Sequence, residues 1–394
     1  MSTAVDTQDN VAAAVEMDGH VESHLHPEPT YDLEAHPVPT GREEIWRFTP
    51  IKRLRGLLED VAPVGRLEQK LDLPEGVTLR ELSLDEAAAL GGTAPFDRLG
   101  ALAARNATTA HLLDIPADAD VTEPVRVQLH GTSVEDAVSG RIVVRIGTHA
   151  RATVVIEHSG STTYNAFTTV LVGDGAQLDL VHVNDWADDA VHTEQINVRV
   201  GRDATLRQFE FTLGGDLVRT SSNVDYAGPG GTAELFGLYF ADAGQHFEHR
   251  LFVDHNAPKT VSNVVYKGAL QGEKAHTVWI GNVLIRKVAE GIETYEENRN
   301  LVLTDGCHAD SVPNLEIETG EIAGAGHASA VGRFDDEQLF YLRSRGIAEA
   351  EARKLVVRGF FDDLIRKVTV PELAEKLSGQ VEEELQRHVL KELV

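Results

Sequence analysis

The chain contains a single cysteine, Cys307, among its 394 residues. One thiol cannot form a disulfide within the chain, and it cannot hold a metal cluster whose ligands are all cysteines. A site built from thiolates would therefore need ligands from a second chain. Cys307 stands beside His308 and Asp310 and could give one thiolate to such a shared site. A buried, unreactive cysteine is the alternative and the commoner outcome.

Catalytic signatures are also missing. The glycine-rich stretches at residues 173–175 and 228–231 lack the Gly-Lys-Ser/Thr that completes a phosphate-binding loop. Neither the Gly-x-Ser-x-Gly turn of hydrolases nor the His-Glu-x-x-His helix of metalloproteases occurs. We therefore expect that the chain is not an enzyme, and that any ATP-driven step belongs to another protein.

Basic residues and long apolar runs are scarce. Lysine and arginine number 36 against 63 acidic residues, so the formal net charge is -27. Such a surface repels nucleic acids and anionic lipids. The apolar runs are only a few residues long, and the N-terminus lacks a basic-then-apolar leader pattern. We expect a cytoplasmic protein that binds neither nucleic acid nor membranes.

The two regions before the centre of the chain differ in composition. Residues 1–42 are acidic and poor in apolar residues, which predicts a disordered tail. Loose metal binding is an alternative role for its histidines, His20, His24, His26 and His36. Residues 43–120 are predicted to be mainly helical, with a helix start at residues 82–86. The helical pattern begins with an apolar stripe at Trp46, Ile51, Leu54, Leu57 and Leu58.

Residues 121–333 show short alternating strands separated by turns. A loose repeat is marked by glycines spaced 26, 28 and 27 residues apart, at Gly147, Gly173, Gly201 and Gly228. This regularity is typical of a β-solenoid with one or two coils per repeat, and a sandwich or propeller is the alternative. Its last coils offer a place where another subunit can extend the sheet.

From residue 334 to residue 394 the apolar period becomes helical. The last helix carries a stripe at Leu373, Leu377, Val381, Leu385 and Val389. This stripe has no obvious partner in the sequence. It either covers the helical subdomain or forms a surface for another protein.

Three ordered motifs resemble the SufB/SufD family, which are scaffold proteins of iron–sulfur cluster assembly. The C-terminal motif is DDEQLFYLRSRGI at residues 335–347, followed by EARKLVVRGF at residues 351–360. The second is NRNLVLTD at residues 298–305, and the third is EIWRFTP at residues 44–50. Each motif alone is weakly specific, whereas their combination in this order is strong. The resemblance spans roughly residues 43–370.

The resemblance implies a fold and a subunit type. The family core is a right-handed parallel β-helix, flanked here by N- and C-terminal helical subdomains. SufB proteins carry cysteines in the core and final strands, whereas this chain has Asn-Arg-Asn at residues 298–300. The chain is therefore most similar to SufD. This implies pairing with a SufB-like subunit, coupling to a SufC-like ABC-type ATPase, and an indirect link to a cysteine desulfurase system.

The resemblance also implies candidate site residues. His327 matches the histidine of SufD proteins at the SufB interface, so it is the candidate ligand of a transient iron–sulfur cluster shared with a partner. This chain alone would bind none. A histidine that hydrogen-bonds its own glycine-rich turn is the alternative. Many relatives have a cysteine two residues before this histidine, where Ala325 stands here, so no second ligand comes from this loop. The SufB-side contacts implied are Asn298, Asn300 and Glu316, and the SufC-side contacts are Glu337, Phe340, Arg343, Arg345 and Arg353.

Two other functions remain as alternatives. A β-solenoid enzyme that acts on acidic polysaccharides would place carboxylates and basic residues along one groove. Its candidates are Asp225, Glu234, Glu248 and Arg250. A SufB-like homodimer that builds clusters unaided is the other alternative, and the single cysteine argues against it.

Overall fold

The computed structural model describes residues 28–333 and 336–387. Before the solenoid, the chain forms short 3-10 turns at Leu33–Ala35, Glu44–Trp46 and Ile51–Leu54. The helices of this segment are α1 (Leu84–Ala89) and α2 (Arg98–Asn106), and its strands are β1 (Glu68–Asp72), β2 (Thr78–Leu82) and β3 (Ala110–Ile115).

The centre of the molecule is a parallel β-helix of about eight turns, which confirms the predicted fold class. Its strands are β4 (Val125–Ile146), β5 (Arg151–Val172), β6 (Gln177–Trp186), β7 (Val191–Val200), β8 (Thr205–Thr212), β9 (Leu217–Tyr226), β10 (Thr232–Ala241), β11 (His246–His255), β12 (Val261–Leu270), β13 (His276–Ile285), β14 (Glu293–Val302), β15 (His308–Ile317) and β16 (Gly324–Arg333).

Each turn contributes one strand to each of two faces. Face A contains β3, the second halves of β4 and β5, and then β7, β9, β11, β13 and β15. Face B contains the first halves of β4 and β5, and then β6, β8, β10, β12, β14 and β16. We call the interior between the two faces the bore. Because side chains alternate along a strand, every second residue points into it.

The repeated glycines occupy equivalent turns of successive coils. The amide of Gly173 donates to the carbonyl of Ile146, and the amide of Gly201 donates to that of Val172. A Cβ on Gly173 would lie 2.6–2.9 Å from backbone atoms of the preceding turn, so only glycine fits there. Register-aligned positions are 26 to 32 residues apart, at Arg151, Gln177, Thr205, Thr232, Val261, Glu293 and Gly324. One repeat is therefore one coil of two strands.

The segment between residues 43 and 120 is less helical than the sequence predicts. Strands β1 and β3 pair with β4, so they extend the solenoid at its N-terminal end. The helix start predicted at residues 82–86 is present, because Ser83 and Glu86 form a capping box on α1. The apolar stripe from Trp46 to Leu58 packs on face A against Val191 and Leu217, but it lies on 3-10 turns as far as Leu54 and on an irregular turn after it. Packing against the sheet overrides the helical propensity.

The predicted disordered tail extends to residue 42, but residues 28–42 pack on the fold. Leu33 is buried against α2. The carbonyl of His36 accepts a hydrogen bond from Arg98 of the same helix at 2.8 Å. These contacts compensate for the low apolar content on which the prediction depends. The remainder of the predicted tail, residues 1–27, lies outside the described residues.

The C-terminal helices are α3 (Asp336–Ser344), α4 (Glu349–Ile365) and α5 (Pro371–Arg387). Face B is apolar on its outer side as well as inside, and α4 and α5 cover it. The buried residues of this layer include Leu373, Leu377, Val381 and Leu385 of α5, Val357 and Phe361 of α4, and Val181, Phe209 and Phe236 of the sheet. The stripe of the last helix thus has an internal partner, although Val389 lies outside the described residues. None of the described helices is long and apolar enough to span a bilayer.

At its C-terminal end, the solenoid terminates in two edge strands. Strand β15 is the last strand of face A, and β16 is the last strand of face B. Among the described residues, no further strand pairs with their outer edges. Most residues of both strands are exposed or half-buried, in contrast to the coils before them. Backbone groups on these edges are therefore available to another chain.

The stacked glycines predict a local stability effect. Gly173→Ala should lower the free energy of unfolding by about 1–3 kcal/mol, because the added methyl group overlaps the neighbouring turn. Gly320→Ala is the matched control, since a Cβ there meets nothing within 4 Å. Urea denaturation of both variants measures the difference. Equal midpoints for the two variants would contradict the stacking.

Candidate functional site

The open end of the bore brings together inward-facing residues of the last strands. On β16, the register sets His327 above Glu296 and Ser329 above Asn298 of β14. On the opposite face, Ser311 of β15 accepts a hydrogen bond from the hydroxyl of Ser329 at 2.8 Å. This contact spans the bore between face A and face B. We call this end, lined by Glu296, Ser311, His327 and Ser329, the mouth.

His327 lies at the mouth with its ring partly in solvent. Its side chain is 44% exposed, and Nδ1 lies 3.8 Å from Oε1 of Glu296. This separation is too long for a hydrogen bond. The glycines predicted to form a turn around it, Gly324, Gly326 and Gly332, belong to the extended strand β16. Within the described residues, the ring is therefore not used to hold a turn, and a nitrogen lone pair is available to a ligand.

Glu296 is a buried carboxyl group directly below His327. Gly281 makes room for it, since a Cβ there would lie 2.3 Å from Oε2 of Glu296. Neither carboxyl oxygen has a side-chain hydrogen-bond partner among the described residues, and the backbone of Asn314 opposes the effect of burial on the pKa of Glu296. Burial raises the pKa of Glu296 to about 8. The group is therefore largely protonated at neutral pH and can exchange a proton with a ligand at the mouth.

Asn298 and Asn300 form a buried network one coil below the mouth. The amide of Asn298 donates to the hydroxyl of Tyr239 at 2.9 Å, and that hydroxyl donates to Oδ1 of Asn300 at 2.8 Å. The amide of Asn300 donates back to Oδ1 of Asn298 at 2.7 Å. Both asparagine side chains are buried, so they support the mouth from inside rather than forming an outer surface. Glu316, the third residue of this predicted group, is half-buried on the edge strand β15.

Cys307 lies at the corner between β14 and β15. Its thiol donates to the carbonyl of Gly272 at 3.2 Å, and burial raises its pKa, so the protonated form is favoured. Asp305, two residues before Cys307, forms an ion pair with Arg333, the last residue of β16, at 3.1 Å. His327 is six residues before Arg333, which is about 20 Å along a strand. Cys307 and His327 therefore cannot bind one metal ion together.

Two groups of histidines and carboxylates in the described residues bring ligand atoms within 4.8 Å of one another. The first, His158, His192 and Glu194, is fully buried in the bore. Burial lowers the pKa of His158 to about 3 and that of His192 to about 4, so both rings are neutral. The second group, His276, His308 and Asp310, lies on the outer side of face A near the open end.

Comparison with known proteins identifies the family of this chain. A family model described as SUF system FeS cluster assembly, SufBD core domain, matches residues 129–360. The chain is 50% identical over 387 residues to an iron–sulfur cluster assembly SufBD family protein of Mycobacterium tuberculosis (strain ATCC 25618 / H37Rv). This match covers 96% of the chain and 97% of that protein. The chain belongs to the SufBD family. It is therefore an iron–sulfur cluster assembly protein of this family.

Two SufBD proteins of Mycobacterium leprae (strain TN) are similar to this SufBD chain at different levels. One is 49% identical over 363 residues, which cover 90% of the chain and 93% of that protein. The other is 27% identical over 219 residues, which cover 56% of the chain and 25% of that protein. One species thus has two members of the family, and the SufBD chain corresponds to the first over nearly its whole length.

The predicted SufC-side residues lie on the C-terminal helices of the SufBD chain. Phe340 is 74% exposed on α3, next to exposed Tyr341, and the guanidinium of Arg345 lies 5.0 Å from the Tyr341 ring centroid. Glu337 and Arg343 are exposed on the same helix, and Arg353 of α4 is half-buried and donates to Glu349. The helix pair α3–α4 therefore presents an aromatic surface with basic residues at its border.

The polysaccharide-site candidates are not brought together. Glu234 lies on the outer side of face B with Arg207, whereas Asp225 lies on face A with Arg199. Glu248 is fully buried under the N-terminal segment, where Thr49 donates to it at 2.7 Å and Arg250 at 3.1 Å. No groove joins these four described residues, which removes the geometric basis for a polysaccharide enzyme.

Glu296 and Tyr239 are site residues that sequence reasoning misses. Glu296 occupies an inward position of β14, between Thr294 and Asn298, where earlier coils have apolar residues such as Val264. The sequence feature that could have indicated Glu296 is an acidic residue at a position of an alternating strand that points into the bore. It could be recognised only once the strand register was known.

The buried carboxyl group predicts a pH-dependent stability. The pKa of Glu296 is higher in the folded than in the unfolded state, so stability is full below pH 4.5 and decreases as pH rises towards about 8. The loss is at most about 1.4 kcal/mol per pH unit. Glu296→Gln should abolish this loss, so the variant becomes increasingly more stable than the wild type between pH 5 and pH 8. Glu293→Gln, exposed at the start of the same strand, is the control. A difference in stability between the Glu296 variant and the wild type that does not change with pH would contradict the prediction.

Proposed function

We propose that this chain is a SufD-like subunit that pairs with a SufB-like subunit and couples it to a SufC-like ATPase. The observation that carries the proposal is the open mouth. It places one available histidine, with no cysteine near it, at an end of the solenoid where the outer edges of two strands pair with no strand of the described residues. A chain with a single distant thiol can lend one ligand to a cluster but cannot hold the cluster by itself.

The SufB-like partner would dock at this end. Strands β15 and β16 expose their outer edges, and a partner strand could pair with either edge by backbone hydrogen bonds. His327 would then lie at the junction of the two bores. An imidazole nitrogen can complete the coordination of an iron–sulfur cluster whose other ligands are thiolates from the partner. The cluster is cargo in this arrangement, and this chain supplies no turnover.

The SufC-like partner would dock on α3 and α4. Phe340, Tyr341 and Leu355 are large apolar side chains on these helices that remain exposed. Exposed aromatic residues bordered by arginines are typical of interface centres. Because α4 and α5 are packed on face B through a buried apolar layer, a movement of the ATPase would be transmitted to the solenoid. Because α4 and α5 are attached rigidly, the moving ATPase would exert a force on the SufB–SufD pair.

The role of His327 is tested in the complex. His327→Ala in the protein co-expressed with its SufB-like partner should leave the complex assembled but lower the cluster absorbance per complex after anaerobic reconstitution. Ser329→Ala, at the same mouth, is the matched control. An unchanged spectrum in the His327 variant would show that the histidine is not a ligand. Cluster formation by this chain without any partner would instead favour the homodimeric, SufB-like alternative.

The ATPase surface is tested by substitution rather than by deletion, because removing α4 and α5 would expose the apolar outer side of face B. Phe340→Ser should weaken co-purification of the ATPase by about tenfold or more, since burying a phenylalanine contributes about 1.5–3 kcal/mol. Val288→Ser, an exposed apolar residue outside these helices, is the control. Equal recovery of the ATPase with both variants would exclude α3 as its docking surface.

A further inference from the structure

The group formed by His276, His308 and Asp310 lies on the outer side of face A, on strands β13 and β15. Nε2 of His276 is 2.8 Å from Oδ2 of Asp310, and Nε2 of His308 is 3.1 Å from the same oxygen. His276 and Asp310 are half-buried, whereas the side chain of His308 is 70% exposed. Two imidazole nitrogens thus converge on one carboxylate oxygen at a surface that solvent reaches.

His276 is one end of a row of polar side chains on the outer side of face A that starts at Glu248. Burial alone would raise the pKa of Glu248, but Arg219, His246 and Arg250 together hold it well below its ordinary value. Glu248 is therefore ionised. Nε2 of His246 lies 3.5 Å from Oε2 of Glu248, and the carboxylate favours a proton on this nitrogen.

His246 and His276 are hydrogen-bonded ring to ring. Nδ1 of His246 lies 3.2 Å from Nδ1 of His276, and either ring can be the donor. This contact orients His276 so that its other nitrogen, Nε2, is directed at the carboxylate of Asp310.

Without a metal ion, Nε2 of His276 and Nε2 of His308 can each donate a hydrogen bond to the same oxygen of Asp310. A divalent cation can take the place of these protons, because imidazole nitrogens and carboxylate oxygens are metal ligands in their deprotonated forms. A chain in which a carboxylate orients a histidine, which then orients a ligand, is the usual support of a metal-bound imidazole.

We propose that His276, His308 and Asp310 form a binding site for one divalent first-row transition metal ion. Ligands with bonds of about 2.1 Å are separated by about 3.0 Å in octahedral and about 3.4 Å in tetrahedral coordination, and the two measured nitrogen–oxygen distances, 2.8 and 3.1 Å, lie nearer the octahedral value. Two histidines and one carboxylate leave coordination positions open, and this set suits Fe²⁺ or Zn²⁺. The exposed side of His308 leaves those positions accessible to water, so the bound ion is exchangeable.

The buried group His158, His192 and Glu194 lacks this arrangement. Nδ1 of His192 accepts a hydrogen bond from the indole of Trp186 at 3.1 Å. The neutral ring is therefore protonated at Nε2, the nitrogen that lies 3.8 Å from Oε2 of Glu194. That nitrogen has no free lone pair for a metal. The proposed site also differs from the mouth, because it lies outside the bore, and it does not depend on the proposed function.

The test measures metal binding by the full-length, untagged protein. His20, His24 and His26 are replaced by glutamine in every protein compared, so that tail histidines do not contribute. After chelation and dialysis, Zn²⁺ is titrated calorimetrically, and Fe²⁺ is titrated under anaerobic conditions. We expect one equivalent to bind, and the comparison of the two titrations identifies the preferred cation. Co²⁺ absorption bands report the coordination of the ion directly.

Substitutions then assign the ligands. His308→Gln should weaken binding by about tenfold or more, and His276→Gln with His308→Gln should abolish the Co²⁺ bands. His149→Asn is the matched control, because His149 faces Asp118 in an exposed pair 3.6 Å apart, to which the described part of the chain adds no third ligand. His308 is so exposed that its replacement does not disturb packing, so this variant remains informative if the double variant does not fold. Fewer than one bound equivalent in the parent protein, or a double variant that binds as the parent does, would overturn the proposal.

Discussion

Parallel stacking of coils is the constraint on which the rest of this structure depends. Every coil satisfies its backbone groups by hydrogen bonds to the coils before and after it, so a coil is stable only with neighbours on both sides. The N-terminal end meets this requirement with β1 and β3, which pair with β4. The C-terminal end does not meet it within the described residues, because β15 and β16 are edges. The position of the mouth is a consequence of this asymmetry.

The outer sides of the solenoid are covered in different ways. Face B is covered by an apolar layer under α4 and α5, whereas face A is covered by an N-terminal segment that also makes polar contacts. Arg219, for example, is buried between Asp97 and Glu248, with its guanidinium 4.4 Å from the Trp46 ring centroid. A buried, paired arginine specifies one arrangement of the segment, because any shift would leave its charge unpaired. Most of both faces is thereby covered, whereas the open end, the outer side of β15 and α3 remain exposed.

Polar side chains inside the bore separate this solenoid from a purely structural rod. An apolar bore would be sufficient for stability, but polar residues are buried along it, and His158, His192 and Glu194 lie in its first coils. Towards the C-terminal end, Tyr239, Asn298 and Asn300 are linked by hydrogen bonds, and Glu296 is a buried carboxyl group with no side-chain hydrogen-bond partner among the described residues. Such a group is costly to bury. Glu296 lies directly beneath His327, so the free-energy cost of burying this carboxyl group is incurred at the candidate site.

The sequence by itself determined the repeat, the order of the regions and the family. The glycines at Gly173 and Gly201 could be found without a structure because their spacing records one coil each, and the period change after residue 333 locates the transition to helices. The amphipathic stripe of α5 was visible in the same way, since a helical period is a local property. What covers that stripe was not visible, because the outer side of face B becomes a surface only when its strands are stacked.

Tertiary structure alone decided which side chains meet. His276 and His308 are far apart in sequence, and they become neighbours because a one-coil offset aligns β13 with β15. The same offset sets Glu296 under His327, and it buries Asn298 and Asn300, which the sequence suggested as surface residues. The register of stacked strands depends on the lengths of all the turns between them, which local patterns do not specify. Residue chemistry was therefore readable from the sequence, whereas proximity was not.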